Sequence, residues 1–194
     1  MRISGGLGVV FVNASFLMAQ SVSIQTSHDS PQEQQAKAEL ERLRKQYETT
    51  KYTFTSRVVT EYDAVPHSDP VLTLNTQHFA QDEAVLSTYV HEPIHWFLDA
   101  REGQTKAAEE DLKKLYPDSP AGGDEGAHDL ESDYLHRIVC ELEREADLEL
   151  LGSERTKTVT RFWATDHYKW THRTVTGDHD KIQEVIKTHS LEIL

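Results

Sequence analysis

The chain has 194 residues, 37% of them hydrophobic and 27% charged, which supports one globular domain with a real core and leaves little room for a second. Its 33 acidic residues outnumber 20 basic ones, giving a net charge of -13. No run of Lys and Arg supplies the basic stripe that a nucleic-acid partner requires. Cys140 is the only cysteine, so neither an internal disulfide nor a cysteine-based zinc cluster can form. Its neighbours Ile138, Val139 and Leu142 predict a buried, inert thiol.

Residues 1–21 begin with Arg2, continue as an apolar stretch broken by Ser4, Asn13 and Ser15, and end at Ala19-Gln20-Ser21. Small residues after a short apolar segment are the layout of a signal peptide, which predicts a secreted or periplasmic protein. A cytoplasmic location is the alternative. The stretch is too short and interrupted for a transmembrane helix, so no membrane span is expected in the mature chain. Residues 22–50 read as a polar linker over 23–30 and an N-terminal helix over 31–48. Ala36, Leu40, Leu43 and Tyr47 fall at helical spacing there, with Ser30 as cap and Pro31 at the first position.

From residue 51 onward the pattern is that of the main domain, 51–194. Residues 51–60 are rich in β-branched and aromatic side chains, and 71–76 alternate, so both predict strands. Helices are expected over 82–100, 105–115 and 131–151, the last stopped by Gly152, with another starting near 155 and an amphipathic one over 178–191. Residues 117–129, dense in Pro, Gly and Asp, predict a loop. The expected class is α+β, a small N-terminal sheet packed against several helices. No Gly-rich phosphate loop follows a strand, and no Gly-x-Ser-x-Gly elbow occurs.

The chemistry concentrates in His91-Glu92-Pro93-Ile94-His95. On a helix, residues i and i+4 share a face, so His91 and His95 can converge on one divalent ion. Imidazole and carboxylate donors without thiolate suit Zn2+. Glu92 would take a proton from the attacking water and deliver it to a leaving amine. In a chain with 11 histidines the spacing alone is a modest signal. The apolar surround of Val85, Leu86, Tyr89, Val90, Ile94, Phe97 and Leu98 strengthens it, because unpaired His and Glu are costly inside a core. Pro93 works against it, since proline removes the hydrogen bond to the Tyr89 carbonyl and costs about 3 kcal/mol in a helix interior.

Two histidines leave a catalytic zinc shell one protein ligand short. The helix over 131–151 offers Glu141, Glu143, Glu145 and Glu149. Glu143 and Glu145 border its apolar stripe and could point inward, though Glu145, like Glu141 and Glu149, reads first as part of a solvated face. Among possible oxyanion donors in residues 166–172, Tyr168 is preferred over His167 and His172. His67, His78 and His128 read as exposed.

The pentad followed by Glu143-Arg-Glu-Ala-Asp147 resembles the gluzincins, in which a Glu on a later helix completes the zinc site. The strings PHSDPVLTLNT, LYPDSP, VCELEREA and HYKW extend the resemblance toward a little-studied family of bacterial zincin-like proteins, over most of residues 50–175. The resemblance implies a zincin-like fold, Glu143 as third metal ligand and Asp147 as a group that orients a histidine. It also implies an edge strand, here residues 71–76, that pairs with a peptide or protein substrate. Proline inside the pentad departs from the family pattern. The reading is thus a zinc metallopeptidase with His91, His95 and Glu143 as ligands, Glu92 as general base and Tyr168 as oxyanion donor. The alternatives are a non-catalytic zincin-like domain that binds metal or peptide, and a helical exported protein with a chance pentad. Nothing in the sequence sets the oligomeric state.

Overall fold

The computed structural model describes residues 22–194; residues 1–21, read above as a signal peptide, lie outside them. The first described element is not a linker. Ser23–Thr26 forms strand β1, which pairs in parallel with β2 (Arg57–Thr60), and β2 pairs in parallel with β3 (Leu72–Leu74). The alternation Val22, Ile24 against Ser23, Gln25 lets one face of β1 join the core through Ile24. Polar composition alone had suggested a linker there. The segment expected as one strand over 51–60 divides: Thr50–Tyr52 makes a 3-10 turn, and only 57–60 enters the sheet.

Between β1 and β2 runs helix α1 (Pro31–Gln46). Ser30 and Glu33 form a reciprocal capping box at its start, with Pro31 in the first turn. Ala36, Leu40 and Leu43 are fully buried along one stripe. The remaining helices are α2 (Asp82–Asp99), α3 (Glu102–Leu115), α4 (Leu130–Leu151), α5 (Ser153–Asp166) and α6 (Lys169–Thr188). Asp129 caps α4 by accepting from the Ser132 N–H at 2.8 Å. Gly152, at φ 77, ends α4 and leads into α5. Helix α6 starts well before the expected residue 178, but its backbone leaves helical geometry at Asp178, so the amphipathic part begins where expected.

The architecture is α+β, with a small three-stranded parallel sheet and six helices among the described residues. One apolar cluster joins the sheet, α1 and α2 through Leu40, Leu72, Leu74 and Tyr89. A second joins α2, α3, α4 and α6 through Leu98, Leu112, Ile138 and Ile182. Helices α2 and α4 take part in both, so the pentad helix is held from two sides. It runs unbroken through Pro93, which is itself buried. No helix among the described residues is long and apolar enough to cross a membrane.

Candidate metal centre

Helix α2 presents His91, Glu92 and His95 toward α4. The residue of α4 that meets them is His136, which the sequence reading did not single out. One ring nitrogen from each of His91, His95 and His136 lies within 4.8 Å of the others. His91 and His136 are buried, and His95 is partly so. The rings stand 5.2 to 5.8 Å apart between centroids.

Hydrogen bonds fix which nitrogen is free. The Nδ1 of His136 lies 2.7 Å from the carbonyl oxygen of Ser132. A carbonyl only accepts, so Nδ1 carries the proton and Nε2 keeps its lone pair. The Nδ1 of His91 lies 2.8 Å from Oε2 of Glu143. With that N–H donated to the carboxylate, the Nε2 of His91 is free in the same way. Glu143, expected as third ligand, thus sits behind His91 rather than beside His95. Burial pushes the pKa of His95 down to about 2, helped by the neighbouring imidazoles, and depresses those of His91 and His136 as well. All three rings are therefore neutral near pH 7, the form that ligates metal.

Behind His91 the polar groups continue inward. The other oxygen of Glu143 accepts from the Ser87 hydroxyl. Ser87 Oγ also lies 3.0 Å from Oδ2 of Asp147 and accepts from the Trp163 indole N–H at 2.9 Å. One hydroxyl has one proton, so Ser87 cannot donate to both carboxyls. Burial, and then the charge of Glu143, push Asp147 well above the usual carboxylate range. Asp147 is accordingly the protonated acid that donates to Ser87, Ser87 donates to Glu143, and Glu143 accepts from His91. Burial also raises Glu143, against the pull of His172 and the Ser87 hydroxyl.

A second donor set, His91 with Cys140 and Glu143, also meets the distance criterion for a metal site. Its chemistry is poorer. Burial pushes the Cys140 thiol well up, which disfavours thiolate, and the facing atoms of His91 and Glu143 already bond each other. Cys140 instead contacts His172 at 3.8 Å. The three imidazoles, neutral and with Nε2 left free on His91 and His136, fit a borderline metal such as zinc.

These groups open into a cavity of about 590 Å³. Glu92 lines it, and burial, with the charge of Glu143 as the next cause, raises its carboxyl to about 8. Tyr168 lines it too, held at φ 46 as the residue before α6, with its ring 4.4 Å from that of His136. Burial pushes its phenol up to about 12, so it stays an O–H donor. His167 lines the cavity with its Nδ1 2.9 Å from Asp166, whereas His172 is buried against Cys140 and does not. His67 and His78, read as exposed, also border the cavity.

Other expectations resolve individually. Glu145 pairs with Arg144, and Glu149 pairs with Lys51 and accepts from Tyr52 at the protein surface. Glu141 is fully buried rather than solvated, with neither oxygen hydrogen-bonded among the described residues. β3 is an edge strand, but its Thr73 N–H and C=O already bond His67 at 2.9 and 3.1 Å. The chain's own His67 therefore takes up part of the β3 edge, and residues 64–69 line the cavity. Compared with known proteins, the chain matches no family model, no curated protein and no solved structure.

Proposed function

We propose that the protein is a zinc-dependent metallopeptidase of zincin-like character. Its ligands in this reading are His91, His95 and His136, with Glu143 as the group that orients His91. The observation that carries the reading is the meeting of three neutral imidazoles from two helices beside a carboxyl group, inside a cavity large enough for a peptide side chain. His136 takes the role that the gluzincin resemblance assigned to Glu143. Carboxylate partners of ligating histidines commonly hold the ring and its tautomer, which is what Glu143 does to His91.

A divalent ion here would supply Lewis-acid polarisation of the scissile carbonyl and make water more acidic. Glu92 is the proton carrier. Burial raises its carboxyl to about 8 in the ion-free site; the charge of a bound divalent ion would lower that value and leave a carboxylate to accept a proton from the attacking water and release it to the leaving nitrogen. The phenol of Tyr168 donates to the oxyanion that develops at the carbonyl. Residues 64–69 border the cavity and offer backbone to an extended substrate in place of the occupied β3 edge. With residues 1–21 read as an export signal, the substrate would be met outside the cytoplasm.

Metal analysis of purified protein tests the centre. We expect one ion per chain, lost in both His91→Ala and His136→Ala but kept in Glu145→Ala. Full metal content in His136→Ala would remove His136 from the shell. Catalysis is tested separately with Glu92→Gln on a peptide library. Loss of cleavage with metal retained supports the general base. Equal cleavage rejects it, and a metal-loaded wild type that cleaves nothing leaves the non-catalytic metal-binding domain as the better reading.

A further inference from the structure

A second cavity, about 670 Å³, lies where the C-terminal part of α4 meets α5 and α6. It shares no lining residue with the histidine cavity. Their charges are opposite. The histidine cavity has Asp69, Glu92, Glu143 and Asp166 in its wall and no Lys or Arg. The second is lined by Arg144, Lys157, Arg161 and Arg173 and by no Asp or Glu. In a chain of net charge -13, that concentration of cations runs against composition.

The neighbouring carboxylates are turned aside. Arg144 pairs with Glu145 and, at 3.6 Å, with Glu141, Lys157 pairs with Glu154 and Arg173 with Glu125, and none of those four acids lines the cavity. Arg161 forms no ion pair among the described residues. Between the cations the lining includes Leu148 and Ala164, both half-buried, and the exposed Gly177. The hydroxyls of Thr156, Thr160 and Thr176 are spent on carbonyls one helical turn back, at 2.8 to 3.0 Å, so they add little polarity.

Gly177 is the second observation. It lies within α6, where glycine weakens a helix relative to alanine. It does not adopt a left-handed conformation, and a Cβ added there would meet nothing within 4 Å. Crowding does not require glycine at this position, which directly precedes the break in α6 at Asp178. Its effect is to leave that part of the cavity's lining without a side chain.

We infer that this cavity binds a small organic anion with an apolar body, its carboxylate or phosphate head held by Arg161 and its body lying over Leu148, Ala164 and Gly177. A guanidinium without a protein partner matches such a head group. The volume falls within the roughly 300–1,000 Å³ of small-molecule sites, so a single small molecule fits better than a length of polymer.

Calorimetric titration of the full chain with decanoate, decanol and acetate tests this, with decyl phosphate to rank the head groups. Decanoate or decyl phosphate should saturate at one per chain, with decanol and acetate about tenfold weaker or more, as expected when a charge-assisted hydrogen bond or the apolar body is missing. Arg161→Glu and Gly177→Leu should each weaken the anion by about tenfold or more, while His91→Ala leaves it unchanged. Circular dichroism melting establishes that each variant is folded. Decanol binding as tightly as decanoate, two folded variants with unchanged affinity, or hexaglutamate binding in preference to decanoate would each overturn the assignment.

Discussion

Ser87 shows how much can depend on one hydroxyl. It receives the Trp163 indole, stands between the two carboxyls Glu143 and Asp147, and so fixes the oxygen that His91 bonds. In Ser87→Ala two buried acids face each other with no intermediary and the indole loses its acceptor. We expect metal affinity to fall about 10- to 100-fold, the usual effect of losing a group that supports a ligand, measured by competition with a chromogenic chelator; Ser87→Thr should recover much of it. Glu33 is a residue-scale case of stability. Its buried carboxylate is disfavoured by desolvation, but N–H groups of Tyr62, Ser30 and His28 outweigh that and hold its pKa at about 2. The folded value lies below the ordinary 4.5, so its contribution is full above pH 4.5 and is lost as pH falls toward 2. Glu33→Gln should lower stability by about 2 kcal/mol at pH 7 and by much less at pH 2.5, read from urea denaturation at the two pH values. The histidine pair and Glu92 were legible because one pentad carries them at helical spacing. His136 was not, because the apolar stripe and the gluzincin-like spacing of α4 point to its glutamates for a further donor. Its signal is nonetheless present: Asp133, His136, Cys140, Glu143 and Asp147 follow one another at intervals of three, four, three and four, a polar stripe on a helix face that turns inward.

Helix α4 carries that stripe and is also tied down at its start. Asp133 and Arg137 are both completely buried, and their ion pair is extended by Ser119 from the preceding loop and Thr171 from α6. The guanidinium lies 4.2 to 5.0 Å from the rings of Trp170, Tyr116 and Tyr134, which gives its unpaired N–H groups an aromatic surround. Asp133→Ala leaves this cation buried without its partner and should cost about 3–5 kcal/mol, detected as a fall in the denaturation midpoint. Helix α2 makes the opposite prediction. Pro93 deprives it of a backbone hydrogen bond, so Pro93→Leu should raise the denaturation midpoint, and the metal content of that variant shows whether the proline shapes the centre. Helix positions were readable from apolar spacing and caps, as Ser30 and Gly152 show. The strands were harder, because each is only three or four residues long and β1 is drawn from a polar segment that pairs only once β2 is present.

At the scale of the whole molecule, buried carboxyls set how stability responds to pH. Burial raises Glu141 to about 8, partly offset by Arg144. Since the folded value exceeds the ordinary one, the folded state keeps its proton while the unfolded chain gives it up, and stability declines as pH rises from about 4.5 toward 8. Glu141→Gln should therefore raise the melting temperature at pH 8 and change it little at pH 4.5, measured by scanning calorimetry of both proteins. The arrangement of His91 and His95 on one helix and His136 on another has a mechanical meaning as well. The chain has no second cysteine and so no internal disulfide. An ion held by those three rings would be its cross-link, closing the stretch between residues 95 and 136 into a ring that survives loss of the surrounding packing. Such a clasp restricts the unfolded chain in the manner of a disulfide, and unlike a disulfide it can be opened by a chelator without reduction. Resistance to proteases, in this molecule, would then be set by the metal supply of its surroundings.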